Sequence, residues 1–135
     1  MQESTPHGAR IAHVGIALEA LNSAIPFFRD ILGLAPVAIN DSDGARIEAF
    51  QAGESLVELL EPDGDNTPIG KFIAKRGPGI HHICFAVDDL DETLSRCRSA
   101  GIRLIDETPR IGAEGRRIAF IHPSSTAGVL IELTE

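Results

Sequence analysis

Two stretches of the chain, 10–18 and 80–87, alternate between bulky apolar residues and a face that carries a histidine beside small side chains. This two-residue period is typical of a β-strand, because successive side chains of a strand point to opposite faces. The small faces consist of His13, Gly15 and Ala17 in the first stretch and of His82, Cys84 and Ala86 in the second. Such a face leaves space in front of an imidazole ring. Two strands of this kind indicate a duplicated module in which each copy contributes one histidine to a shared site.

Each of these strands precedes a segment with helical periodicity and then three short strand candidates. Asn22 or Ser23 can cap the first helix, which Gly33 ends. Asp89 can cap the second helix, and Gly101 ends it. The strand candidates are residues 34–39, 45–51 and 56–60 in the first half and 102–105, 117–121 and 129–133 in the second. The order βαβββ therefore occurs twice, as expected of a duplicated module.

The pattern predicts a single α+β domain over residues 1–135, built from two tandem βαβββ modules. The first module covers about 10–62 and the second covers 80–135, and a polar connection at 63–79 joins them. Residues 1–9 have no periodicity and are predicted to form a flexible lead-in.

Composition and charge exclude several classes of protein. The chain has 43% hydrophobic and 24% charged residues, which is typical of a soluble globular protein. Its net charge of -8 argues against a nucleic-acid partner, because phosphate repulsion would be uncompensated. No apolar run reaches the length of a membrane span, and the first ten residues lack a signal core. Together with two cysteines that we interpret as small buried residues, Cys84 and Cys97, these features favour a reduced, cytoplasmic compartment.

Two glutamates repeat the arrangement of the histidines. Glu58 and Glu132 each interrupt an apolar strand candidate, with apolar neighbours on the opposite face. A carboxylate on a closed sheet face is costly to bury without a partner. The two modules thus offer one histidine and one glutamate each, a set that we call the quartet: His13, Glu58, His82 and Glu132. Two imidazoles and two carboxylates suit a divalent cation such as Co²⁺, Zn²⁺, Mn²⁺ or Ni²⁺ and leave positions open for water or substrate.

Simpler interpretations exist for the individual residues. A lone histidine on a strand is more often a hydrogen-bonded structural residue than a metal ligand. Glu132 lies near the C-terminus, where an exposed glutamate on an edge strand is common. His81 faces away from His82 in the alternating pattern and is interpreted as structural. Glu48 is a further acidic residue on a strand candidate, and it is either exposed on one strand face or a base aimed at the same cavity.

Motifs over nearly the whole chain resemble those of the methylmalonyl-CoA epimerase family, within the vicinal oxygen chelate superfamily that also includes glyoxalase I. The motifs are HVGIA at 13–17, FFRDILGL at 27–34, VELLEP at 57–62, GIHHI at 79–83, GIRLIDETPRIGA at 101–113, FIHP at 120–123 and GVLIEL at 128–133. The first two are shared by the whole superfamily. The stretch from Asp63 to the end is much more specific to the epimerases.

The resemblance implies a cup-shaped mixed sheet of two βαβββ modules around one metal, usually in a homodimer. It places the metal on the quartet, with Co²⁺ preferred and Mn²⁺, Zn²⁺, Ni²⁺ or Mg²⁺ as alternatives. It implies a small-molecule acyl-CoA substrate and the interconversion of (2R)- and (2S)-methylmalonyl-CoA by moving the C2 proton. Two glutamates are proposed to move this proton in the family, and their motif positions correspond to Glu48 and Glu132.

Other functions of the same superfamily are alternatives. A lactoylglutathione lyase of the glyoxalase I type has a similar metal shell and similar proton chemistry, but the second-half motifs favour the epimerase. The related dioxygenases typically use two histidines and one glutamate on iron, whereas this chain has four candidate ligands. A non-catalytic small-molecule-binding protein of the same fold generally lacks the ligand set.

Overall fold

Eight strands form one curled mixed sheet in the computed structural model, which describes residues 8–135. The strands are β1 (Arg10–Ala17), β2 (Ala35–Val37), β3 (Ala45–Ala52), β4 (Ser55–Pro62), β5 (Gly79–Ala86), β6 (Arg110–Ile111), β7 (Arg117–Ile121) and β8 (Ile131–Thr134). Two α-helices, α1 (Pro68–Arg76) and α2 (Leu90–Ser99), pack against the sheet. Short helical turns lie at Leu21–Ser23, Phe27–Ile31 and Pro123–Ser125. The predicted α+β class is confirmed, and most of the predicted lead-in lies outside the described residues.

The order of the strands reflects the duplication that the sequence predicts. It is β2-β3-β4-β1-β5-β8-β7-β6, so each module contributes four adjacent strands and the first strands of both modules meet at the centre. Within each module the first and last strands are parallel, whereas β1 and β5 are antiparallel to each other. The register places Gly15 opposite His82 and His13 opposite Cys84. The small faces of the two central strands therefore lie side by side on one surface of the sheet.

A side chain caps the start of each α-helix. Thr67 accepts a hydrogen bond from the Gly70 N–H at the start of α1, and Pro68 occupies the first turn, where its missing N–H costs little. Asp89 accepts one from the Glu92 N–H at the start of α2. The inner face of α2 carries Leu90, which is completely buried against the outer surface of the second module.

The predicted first helix is wrong as a continuous α-helix. The chain instead forms a 3₁₀ turn at Leu21–Ser23 and, after Pro26, a π-helix at Phe27–Ile31. Pro26 has no N–H to donate, so an α-helical hydrogen-bond ladder cannot pass through it. The Ser23 hydroxyl donates to the Ala20 carbonyl instead of capping the helix. Gly33, with φ of +70°, follows the helical segment as predicted.

The strand predicted at 102–105 is also wrong. Only Leu104 forms an isolated bridge, to Ile121, and the strand that pairs with β7 is instead β6, further along the chain. The Ile105 and Asp106 N–H groups both donate to the Phe120 carbonyl, and this shared acceptor replaces the regular ladder. Within residues 8–135, no helix has the length and apolarity needed to cross a membrane.

Candidate metal centre and cavity

The structure brings the quartet together on the concave side of the sheet. Its four residues are 3–6% exposed, and each lies on a different strand: His13 on β1, Glu58 on β4, His82 on β5 and Glu132 on β8. Because paired residues on neighbouring strands point to the same face, all four side chains lie on one face of the sheet, in two adjacent rows. Glu58 and His82 both pair with Gly15, and His13 and Glu132 both lie opposite Cys84. The site depends on both modules and could not form from one alone.

Three donor atoms of the quartet converge. The Nε2 atoms of His13 and His82 are 2.9 Å apart, and each is 3.0 Å from Glu132 Oε1. Two imidazole nitrogens and a carboxylate oxygen facing a common point are the donors that borderline divalent cations prefer.

The other side of the His13 ring faces Glu58. His13 Nδ1 lies 3.2 Å from Glu58 Oε2, and this buried carboxylate oxygen has no partner with hydrogen-bond geometry within residues 8–135. Buried polar atoms are seldom left without a partner. His13, Glu58 and His82 are also close enough for one atom from each to hold a single ion. The residues present therefore fit a divalent cation.

Gly15 makes room for the second histidine. A Cβ atom at this position would collide with the imidazole ring of His82, which lies opposite it on β5. The small residues beside the histidines in the sequence thus have a steric function. Cys84 also lies on this face, completely buried and free, and burial raises the pKa of its thiol to about 11. This agrees with its interpretation as a small buried residue.

The ionisable groups of the site shift one another's pKa values. Burial by itself would lower the pKa of His13, but contacts with Cys84 and with surrounding carboxylates raise it to about 12. Burial would raise the pKa of Glu132, but contacts with His13 and His82 hold it at about 2. Burial and the neighbouring Glu114 raise the pKa of Glu58 to about 9. At neutral pH, in the absence of metal, His13 and Glu58 are therefore protonated.

Metal binding at pH 7 is expected to release up to two protons, one from His13 and one from Glu58. The reason is that a cation binds neutral imidazole nitrogen and ionised carboxylate oxygen, so both protons must leave. Titration calorimetry with Zn²⁺ or Co²⁺ in buffers of different ionisation enthalpy would count them. Metal affinity should accordingly increase with pH between 6 and 8, because both groups are still protonated over this range. Affinity that is independent of pH between 6 and 8 would contradict this assignment.

His81 lies at the cavity, and the prediction that it faces away from His82 is wrong. Ile16 pairs with Ile80 immediately after Gly15 pairs with His82, so His81 is the extra residue of a bulge. Its Nδ1 is 3.0 Å from Nδ1 of His82. Burial and the nearby His82 lower the pKa of His81 to about 4, so it is neutral at pH 7. In the tautomer that suits a metal site, His82 donates its Nδ1–H to His81 and leaves its own Nε2 free to bind the ion.

Glu48 does not reach the cavity. It is exposed on β3, whereas its neighbours Ile47 and Ala49 are buried. Ala49 pairs with Glu58, so Ala49 shares the face of the quartet and Glu48 lies on the opposite face. The structure thus supports the simpler of the two interpretations of Glu48, that of an exposed residue on a half-buried strand.

The loop between β6 and β7 places Glu114 beside the quartet. Its Oε2 lies 2.7 Å from His13 Nδ1, and its side chain is 22% exposed. Contact with His13 lowers the pKa of Glu114 to about 2, so it is ionised at neutral pH. Glu114 was not among the predicted site residues, because a loop glutamate without periodicity has no signal that marks it as a cavity residue.

The quartet forms the inner wall of a cavity between the two modules. Among residues 8–135, the acidic side chains that line the cavity are Asp43, Glu58, Glu114 and Glu132. The cationic side chains that line it are Arg110 and Arg116. Apolar side chains cover much of the remaining wall, among them Ile47, Leu60, Ile69, Ile105, Ile118, Phe120 and Leu130. Arg110 is held by Asp43 and Asp106, whereas Arg116 donates to the backbone oxygen of Glu135.

The chain belongs to the Glyoxalase/Bleomycin resistance protein/Dioxygenase superfamily, whose sequence profile matches residues 12–120. It is 38% identical to the mitochondrial methylmalonyl-CoA epimerase of Dictyostelium discoideum, over 93% of this chain and 78% of that protein. The crystal structure of methylmalonyl-CoA epimerase from Mycobacterium tuberculosis is 40% identical, covers 93% of this chain and 86% of its own, and has a TM-score of 0.87. A methylmalonyl-CoA epimerase in complex with methylmalonyl-CoA and NH4+ is 35% identical, with 93% coverage of both chains and a TM-score of 0.88.

Proposed function

We propose that this protein is a metal-dependent epimerase that interconverts (2R)- and (2S)-methylmalonyl-CoA. The observation that carries the proposal is the buried quartet on the inner wall of a cavity, in a chain similar over 93% of its length to several methylmalonyl-CoA epimerases. The M. tuberculosis enzyme and the relative in complex with methylmalonyl-CoA are 40% and 35% identical to it.

The chemistry of the substrate suits such a site. The C2 hydrogen of methylmalonyl-CoA lies between a thioester and a carboxylate, so its removal develops negative charge on the thioester oxygen. A divalent ion held by His13, Glu58, His82 and Glu132 would supply Lewis-acid stabilisation of that charge. The apolar cavity wall would exclude water and strengthen each electrostatic interaction inside. Arg116 is placed to attract the anionic acyl-CoA at the cavity.

Glu132 is the proposed proton-transfer residue on one side of the substrate. Its carboxylate is 5% exposed, lies at the cavity and contacts both histidines. These contacts fix its orientation, so that the carboxylate need not reorganise when the substrate binds. The homodimer that the resemblance implies, the cytoplasmic location and the preference for Co²⁺ remain predictions.

Proton exchange at C2 tests the proposed function. Metal-loaded protein in D₂O is expected to catalyse the incorporation of deuterium at C2 of methylmalonyl-CoA, with loss of optical purity. NMR would follow the incorporation. Protein stripped with EDTA should incorporate none, and added Co²⁺ should restore the exchange. Metal binding without exchange at C2 would show that the protein is not an epimerase of this substrate. Failure to bind any divalent metal would refute the proposed metal centre itself.

A further inference from the structure

Inversion at C2 requires a second proton-transfer residue, and the cavity contains a carboxylate that the sequence did not indicate. One group must remove the proton from one face of the planar intermediate, and another must return it to the opposite face. Glu48 lies on the wrong face of β3 for this role. We propose that Glu114 is the second proton-transfer residue and that it acts together with Glu132. This inference rests on the proposed epimerase function.

The hairpin between β6 and β7 is fixed in a way that holds Glu114 over the quartet. The Ala113 carbonyl accepts a hydrogen bond from the Asn40 N–H of the first module, and the Gly115 N–H donates to the Gly112 carbonyl. A Cβ atom at Gly112 would lie 3.0 Å from two side-chain atoms of Ile118, so the turn packs closely against β7. The turn that carries Glu114 at the cavity is therefore held in place by hydrogen bonds and by packing against β7.

The other acidic residues of the described cavity wall are either held by an arginine or less accessible. Asp43 pairs with the guanidinium of Arg110, at 3.1 and 3.3 Å from its Nη1. Glu58 is 3% exposed and lies beneath His13 as a member of the quartet. Glu114 is the most exposed of the three carboxylates that contact His13, with a side chain 22% exposed against 4% for Glu58 and 7% for Glu132. It therefore has the best access to a molecule in the cavity.

Glu114 and Glu132 approach the site from different directions. Glu132 contacts Nε2 of His13 at 3.0 Å, whereas Glu114 contacts Nδ1 of the same ring at 2.7 Å. They also come from separate elements, since Glu132 lies on β8 and Glu114 on the β6–β7 turn. The two carboxylates therefore reach the cavity from separate positions, as two independent proton-transfer groups must.

The proposed step conserves protons and electrons. One carboxylate accepts the C2 proton: the C2–H bond breaks, an O–H bond forms, and the electron pair moves into the enolate. The other residue takes up one proton from solvent when the anionic substrate binds beside it; it donates that proton to the opposite face of C2, and its O–H bond breaks. The reverse reaction exchanges the two roles, so each epimer is deprotonated by a different glutamate.

The test is Glu114→Gln, a substitution that keeps the size of the side chain and removes its capacity to accept the proton. Metal content is measured first, and then deuterium uptake and epimerisation are followed separately for each pure epimer in D₂O. Epimerisation is expected to fall at least about 100-fold. Deuterium uptake should persist from the epimer that Glu132 deprotonates and should be lost from the other epimer. Glu48→Gln is the matched control, and it should leave both rates within about twofold of the wild type.

Three results would overturn the assignment of Glu114. One is epimerisation by Glu114→Gln within twofold of the wild type, and another is an equal loss of exchange from both epimers with metal retained. The third is a selective loss of exchange from one epimer in Glu48→Gln, which would return the role to Glu48. A wild-type protein that binds metal but exchanges neither epimer would instead refute the proposed function.

Discussion

Replacing His13 by alanine is expected to weaken metal binding more than 100-fold and to destabilise the metal-free protein. His13 supplies a donor nitrogen to the proposed centre, and loss of even an outer partner of a metal ligand typically costs about 10–100-fold in affinity. In the metal-free protein, protonated His13 is the cation that Glu58, Glu114 and Glu132 contact. Removing one partner of a buried ion pair costs about 3–5 kcal/mol in the free energy of unfolding. Calorimetry with Zn²⁺ and urea denaturation after EDTA treatment would measure the two effects.

The pH dependence of this destabilisation has a definite sign. The pKa of His13 rises from 6.5 in the unfolded chain to about 12 in the folded one. Its stabilising contribution is therefore complete below pH 6.5 and declines as the pH rises towards 12. The stability difference between wild type and His13→Ala should become smaller between pH 7 and pH 10. His122→Ala, outside the described cavity lining, is the control; equal effects of the two substitutions would contradict the role given to His13.

Gly15→Val is expected to disrupt the metal site without changing any of its ligands. The new side chain would occupy the position of the His82 ring, because even a Cβ atom collides with it. Overpacking a filled interior typically costs about 1–3 kcal/mol, and here the group displaced is a ligand. We expect a loss of Co²⁺ affinity of at least about tenfold and a change in the visible spectrum of bound Co²⁺, measured by titration.

Gly79→Ala provides the matched control for Gly15→Val. Gly79 also lies on a central strand, where it pairs with Ala17, but a Cβ atom there would meet nothing within 4 Å. It should leave the Co²⁺ affinity unchanged. Wild-type affinity in Gly15→Val would show that His82 can move away without loss of binding and is therefore not a ligand.

Periodicity predicted the parts of the fold that regular hydrogen bonding determines. The duplicated order of elements, the central strands and the shared face of His13 and His82 all follow from a two-residue alternation that the sheet preserves. The first helix was mispredicted because the spacing of apolar residues carries no information on hydrogen-bond donors. Pro26 has no N–H group, and the α-helical hydrogen-bond pattern breaks there. The segment 102–105 was mispredicted because a single bridge, from Leu104 to Ile121, joins it to the sheet in place of a regular ladder.

The site shows the same division between regular and irregular backbone. The four residues of the quartet lie on regular strands, and their convergence could be anticipated from their equivalent places in the two modules. His81 could not be placed, because a bulge shifts the alternation by one residue and turns its side chain towards the cavity. Glu114 could not be placed either, because the direction of a loop side chain depends on tertiary contacts such as that between Asn40 and Ala113. Glu48 was open to two interpretations, and the pairing of Ala49 with Glu58 distinguishes them.

The division of the quartet between the modules makes a bound ion a cross-link between distant parts of the chain. His13 and His82 are 69 positions apart, and His13 and Glu132 are 119 apart. An ion that joins such residues closes long loops and binds only where both halves have already come together. Interactions that form late in folding act mainly on the rate of unfolding. The cation would therefore lengthen the lifetime of the folded state, in addition to any part it takes in chemistry.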